Sequence, residues 1–265
     1  MPSDTWKLVT AAAAGGAAAL LFQRLLHRQR TLGAHDSAHH LDANAAGVHR
    51  SSSIKNLGPG EAKVFKVVLT GGPCGGKSSS LDHMCKTLTA EGFDVLCVPE
   101  VPTILMNGGA QYPGVDGGKK LVEFETALIQ AQMQLERSFI QIGESTGRPT
   151  VVILDRGLLD VGAYLPAAVW TGVILAENGL TEASLAARYD LVLHLVTAAD
   201  GAEKFYTTEN NAARTETAEE ARALDKKIRG CYTAHPNLKI IDNNGNFDDK
   251  LQHATQHVLQ LVGAT

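Results

Sequence analysis

Val68-Leu69-Thr70-Gly71-Gly72-Pro73-Cys74-Gly75-Gly76-Lys77-Ser78 is the stretch that decides the fold. From Gly71 to Ser78 it fits the pattern G-x-x-x-x-G-K-[ST], with a β-rich run, Lys63 to Leu69, before it and a helical pattern, Lys77 to Thr89, behind it. A glycine-rich turn in that position lets successive backbone N–H groups converge on phosphate oxygens, and the helix that follows aims the positive end of its dipole at them. Gly71, Gly72, Pro73, Cys74, Gly75 and Gly76 are therefore expected to form a phosphate cradle. Lys77 should reach the β and γ phosphates, Ser78 should ligate Mg2+, and Ser79 should stand beside it in the first helical turn. The expected ligand is a purine nucleoside triphosphate, ATP or GTP. The competing reading is a glycine-rich turn that binds nothing.

Outward from the loop, Asp94 to Val98, Thr150 to Leu154, Leu191 to Val196 and Leu238 to Ile241 read as further short apolar strands. Between them Leu121, Phe124, Leu128, Ala131, Leu135, Phe139 and Ile142 recur at three and four residues, which predicts a long helix with one apolar stripe. A last helix is expected from Phe247 to Leu261. Strands that alternate with helices and read apolar on both faces imply a parallel five-stranded sheet covered on each side, an α/β fold of the P-loop NTPase class with a nucleoside-kinase-like lid.

Three further positions carry chemistry. Asp155 ends an apolar strand at the edge where open α/β sheets hold their ligands, and is expected to partner Mg2+ directly or through its shell. Asp155-Arg156-Gly157-Leu158-Leu159-Asp160 adds a guanidinium next to that carboxylate and a second carboxylate one turn on. Glu100, just past the second strand, is placed to orient or deprotonate an acceptor hydroxyl, unless it is a solvated loop glutamate. The polar segment Ala198 to Glu220 reads as the lid, with Arg214 as the cation brought to the transferring phosphoryl group and Arg222 assigned to a solvated helix face. Asn243, beyond the fifth strand, is a candidate contact for the base edge.

Charge and composition limit the partners. Residues 1–60 hold Lys7, Arg24, Arg28, Arg30, Arg50 and Lys55 against Asp4, Asp36 and Asp42, a net of +3, so of the overall −4 the remaining chain carries −7. A domain so acidic is not suited to wrapping nucleic acid. Cys74, Cys85, Cys97 and Cys231 show no zinc or redox spacing and fit a reducing compartment. An Ala-rich run from Leu8 to Phe22 followed by a basic segment suggests a signal anchor facing the cytosol, an organellar targeting peptide, or an Ala-rich helix without a target. Residues 1–30 are thus read as a targeting or anchor segment, 31–60 as linker, and 61–265 as the nucleotide-binding domain.

With these segments in place the chain resembles a known family, the P-loop domain shared by NadR-type nicotinamide riboside kinases and the TRPL-translocation-defect proteins of eukaryotes. Besides the phosphate loop, the resemblance is carried by Val98-Pro99-Glu100, by Asp155 to Asp160, by His194-Leu195-Val196-Thr197-Ala198-Ala199-Asp200-Gly201-Ala202-Glu203-Lys204-Phe205-Tyr206 and by Ile241-Asp242-Asn243, and it spans Lys63 to about Gln260. The loop Gly-Gly-Pro-Cys-Gly-Gly-Lys and the long lid look closer to the eukaryotic branch. That branch implies a GTP-binding, phosphoinositide-binding module with a role in membrane trafficking. The NadR branch implies a kinase acting on a nucleoside.

Overall fold

The computed structural model describes residues 63–206 and 217–264. Five strands, β1 (Val64–Gly71), β2 (Asp94–Val98), β3 (Thr150–Asp155), β4 (Leu191–Leu195) and β5 (Leu238–Ile241), form one sheet in the order β2-β3-β1-β4-β5. All neighbours pair in parallel. The α/β architecture read from the sequence is thus the one found. Each crossover carries helical structure: α1 (Lys77–Ala90), α2 (Val101–Asn107), α3 (Lys119–Ser145), α4 (Ala167–Val169), which runs into a π-helical stretch (Trp170–Leu175), α5 (Glu182–Ala186), and α6 (Ala218–Cys231). The last helix is α7 (Phe247–Val262), and a 3₁₀ turn (Leu158–Tyr164) follows β3.

Alternation along β1 explains why helices cover both faces. Phe65, Val67 and Leu69 point to one side, where they meet Met84 and Leu88 of α1 and Ala254 and Val258 of α7. Val68 points to the other, among Val152, Leu154 and Val192 of the flanking strands, Leu121 and Ile129 of α3, and Tyr232 just past α6. Residues buried this completely contribute about 1.5–3 kcal/mol each.

The register places the functional edge. Leu69 lies opposite Asp155 on β3, while Thr70 lies opposite His194 on β4 and Gly71 opposite Leu195. The C-terminal ends of β1, β3 and β4 are therefore level, and whatever follows each strand emerges into the same space.

The long helix corrects one expectation. Ile142 is exposed and Phe124, Leu135 and Phe139 are only half-buried, whereas the buried face of α3 includes Leu121, Glu125, Leu128, Ile129, Gln132 and Glu136. The inward stripe is rotated from the purely apolar one, because three polar side chains on it are needed inside. Residues 1–62, which hold the targeting and linker segments, and Arg214 of the lid lie outside the described residues.

Candidate nucleotide-binding site

The phosphate loop leaves β1 through Gly71, whose φ of 136° and contact with the Leu195 carbonyl, which a Cβ would strike, both require glycine. Gly72 then donates its N–H to Asp225 Oδ1 at 2.8 Å, so closely that a Cβ there would sit 2.7 Å from the same oxygen. Thr197 Oγ1 donates to the Pro73 carbonyl at 2.5 Å, and the Ala198 N–H donates to the Cys74 carbonyl at 3.3 Å. Neighbouring elements therefore pin the loop from outside at three consecutive residues. Gly76, at φ 88°, turns the chain into α1. No side chain caps that helix, as none caps α2, α3 or α4, whereas Thr181, Thr217 and Asn246 cap α5, α6 and α7. The first-turn N–H groups beside Ser78 and Ser79 therefore have no side-chain cap, an arrangement in which a helix start can take an anion.

Lys77 folds back over the loop, donating to the carbonyls of Gly71 at 3.0 Å and Gly72 at 3.2 Å. Burial, and then the nearby Arg156, lower its pKa to about 8, against the pull of Asp155, Glu100 and Asp160. Asp155, Arg156, Glu100 and Asp160 thus share its electrostatic surroundings, while Arg214, the lid cation expected to act with them, lies outside the described residues.

Arg156 sits at the turn after β3 with φ 71°, an uncommon conformation for a residue with a side chain, costing on the order of 1 kcal/mol or more. The turn is held by the Arg156 N–H on the Leu69 carbonyl at 3.1 Å and by Gln132 Nε2 on the Arg156 carbonyl at 3.3 Å. It delivers the guanidinium between two carboxylates, with Nε 2.6 Å from Glu100 Oε1 and Nη1 3.2 Å from Asp160 Oδ1. Glu100 also accepts from Thr103 Oγ1 at 2.6 Å. Burial opposes ionisation of Glu100, but Arg156 foremost, with Thr103 and Lys77, holds the carboxyl below its ordinary range. Asp160 is a buried hub that accepts from Thr70 Oγ1, the Gly157 N–H at 2.9 Å and the Tyr232 hydroxyl at 2.7 Å besides Arg156.

Asp155 differs from both. Its carboxylate makes no hydrogen bond or ion pair to a described residue, and burial raises its pKa despite Lys77. A half-buried carboxylate left without a protein donor is the kind of oxygen ligand a hard divalent cation takes. Asp155 fits Mg2+ on that ground, with the Ser78 hydroxyl as the partner that the phosphate-loop motif implies.

Several residues that organise the site escaped the sequence reading. Asp225, on a helix whose charged face reads as solvated, is buried and accepts from Gly72, from the Thr197 N–H at 3.1 Å and from His194 Nε2 at 3.1 Å. Arg222 donates to the Ala199 carbonyl at 2.8 Å. Asn243 lies where expected, but its amide braces the loop after β4, donating to the carbonyls of Thr197 at 2.8 Å and Asp200 at 2.6 Å and accepting from Lys250 Nζ at 2.7 Å. In this arrangement Asn243 positions that loop; a contact with the base would require it to release one of these bonds.

Beyond Arg156 a narrow cleft, with about 30 Å³ of room for water-sized groups, lies between α2, α3 and the 3₁₀ turn and is lined by Glu100, Asp155, Arg156 and Asp160. Glu125 and Gln132 of α3 also line it. No curated protein matches the chain. A family model described as an AAA domain matches residues 66–250, which run from the phosphate-loop strand into the last helix and take in every group described above, so the chain belongs to the AAA domain family of P-loop nucleotide-binding proteins.

Proposed function

We propose that this domain binds a magnesium nucleoside triphosphate and transfers its γ-phosphoryl group to a hydroxyl that a small molecule reaches into the cleft beyond Arg156. The observation that carries the reading is the position of Glu100, which faces that cleft together with Asp155 and Arg156 instead of the outer surface. The loop amides and Lys77 bind the phosphates. Ser78 and Asp155 hold Mg2+, which supplies charge neutralisation on the phosphate oxygens when bound. Arg156 fixes Glu100 with its free lone pairs toward the acceptor, and the acceptor proton passes to that carboxylate as the new O–P bond forms and the nucleoside diphosphate leaves. A carboxylate held below its ordinary pKa is a weak base. That suffices, because phosphoryl transfer with a loose transition state asks more for orientation than for proton abstraction.

The second reading is a nucleotide-dependent regulatory module of the translocation-defect kind, binding GTP or ATP and phosphoinositides. It is favoured by the resemblance of the phosphate loop, and by the firm engagement of Glu100 with Arg156 and Thr103, which a purely structural role would also explain. Incubating the full chain with labelled ATP or GTP, Mg2+ and a panel of nucleosides and inositol lipids separates the two. Label moving to a small molecule supports transfer, and free phosphate alone supports the regulatory reading. Glu100→Gln sharpens the result: transfer should fall by roughly 10² to 10⁴ with triphosphate affinity nearly unchanged, whereas basal hydrolysis by a regulatory module should stay within a few-fold of the parent.

A further inference from the structure

The cleft that Glu100 lines holds another carboxyl, which neither nucleotide binding nor the proton transfer above uses. Glu125 is only 3% exposed, lines the cleft from α3, and makes no hydrogen bond or ion pair with any described residue. A carboxyl held nearly out of solvent beside Tyr112 and lining a cleft is costly unless a ligand's polar group meets it, so such a group marks a place where a ligand completes the site. We infer that Glu125 is the specificity residue of an acceptor subsite, hydrogen-bonding the hydroxyl that an uncharged small molecule reaches into the cleft past Pro102, Leu128 and Val161. This inference rests on the transfer reading for the fate of that molecule, but not for its binding.

The charge of the cleft selects the ligand class. Glu100, Asp155 and Asp160 face it, and Arg156 is already engaged by two of them. A phosphorylated or carboxylated acceptor would meet carboxylates with no cation to spare there. The groups around Glu125 are Tyr112 from the segment before α3, Glu100 at the start of α2, Asp155 and Arg156 after β3, and Asp160 and Tyr164 of the 3₁₀ turn. Burial alone raises the Glu125 pKa to about 8, so the group is an acid donor at neutral pH. A cationic ligand would instead draw the proton off it.

The test uses the full chain with Mg2+ and ATP or GTP, and as probes adenosine, uridine and myo-inositol, each beside its monophosphate. Two readouts are needed. Infrared difference spectra against Glu125→Gln should show a protonated carboxyl band at pH 7 that titrates away near pH 8 and shifts when a neutral probe binds. In the transfer assay, KM for that probe should rise at least tenfold in Glu125→Leu and stay near the parent value in Glu125→Gln at pH 7. Above pH 8 it should climb in the parent but not in Glu125→Gln. A band that shifts without any transfer supports the subsite and counts against the transfer reading alone. No protonated band, a band that none of the probes moves, a preference for the monophosphates, or a KM indifferent to Glu125→Leu each overturns the inference.

Discussion

Two buried ionisable groups at this edge of the sheet make opposite, measurable statements about pH. Lys77 is lowered to about 8 by burial, and a bound triphosphate would restore a high pKa by adding negative charge beside it. Below pH 8 the amine is protonated with or without ligand, so Lys77 lends affinity no pH dependence there. Above pH 8 only the bound form keeps the proton, so affinity should fall by up to tenfold per pH unit, and Lys77→Met should bind weakly with that slope abolished. Calorimetry between pH 6.5 and 9.5 reads both. Glu125 has its pKa raised from 4.5 to about 8, so from about pH 4.5 to pH 8 the folded chain holds a proton that the unfolded chain has lost. Stability must therefore decline as pH rises through that window, by up to about 1.4 kcal/mol per unit and a few kcal/mol in all. Glu125→Gln removes the titration. Urea unfolding at pH 5 and pH 8 should show it gaining on the parent at the higher pH, and equal shifts at both would place the ionised form in a solvated setting instead.

Elements show where sequence reading succeeds and where it stops. The strands and α1 were legible because each is a short apolar run or a glycine-lysine turn whose meaning is local. Glu100, Asp155 and Arg156 were legible because they directly follow strands that end at one edge, and the register of β1 with β3 then sets them side by side. Glu125, Gln132 and Glu136 on α3 and Asp225 on α6 were not. Periodicity assigns polar residues to solvent, and only tertiary packing shows that these face inward. Asp225 is the clearest case, since β1, β4 and α6 meet on one carboxylate that receives Gly72, Thr197 and His194. Asp225→Ala would strand those donors, lowering stability by roughly 2–4 kcal/mol and loosening the phosphate loop. Triphosphate affinity should drop about tenfold beyond any loss through unfolding. Asp225→Asn keeps an acceptor for both backbone N–H groups, so thermal unfolding and calorimetry should find it intermediate; equality of the two variants would mean the charge, not the acceptor, sets the loop.

At the scale of the whole chain, charge divides what the fold unites. The span from residue 61 onward carries −7, and residues 1–60 carry +3. An acidic domain is repelled by an anionic lipid surface, while each basic residue brought near such a surface contributes about 1 kcal/mol at moderate ionic strength. If the protein binds phosphoinositide membranes, the electrostatic attraction must then come from the segment holding Arg24, Arg28 and Arg30, and not from the nucleotide edge, where Glu100, Asp155 and Asp160 gather. Phosphate-loop chemistry and membrane attachment should accordingly be separable. Every group that builds the nucleotide site lies between Thr70 and Lys250, so deleting residues 1–60 should leave triphosphate affinity within a few-fold of the full chain. The same deletion should abolish sedimentation with phosphatidylcholine vesicles that contain a few per cent phosphoinositide, and raising the salt should weaken binding of the full chain in parallel, because the attraction is screened. Undiminished vesicle binding by the truncated chain, insensitive to salt, would require a shaped headgroup pocket within the acidic domain and would move the search for it to the residues around Arg222 and Lys250.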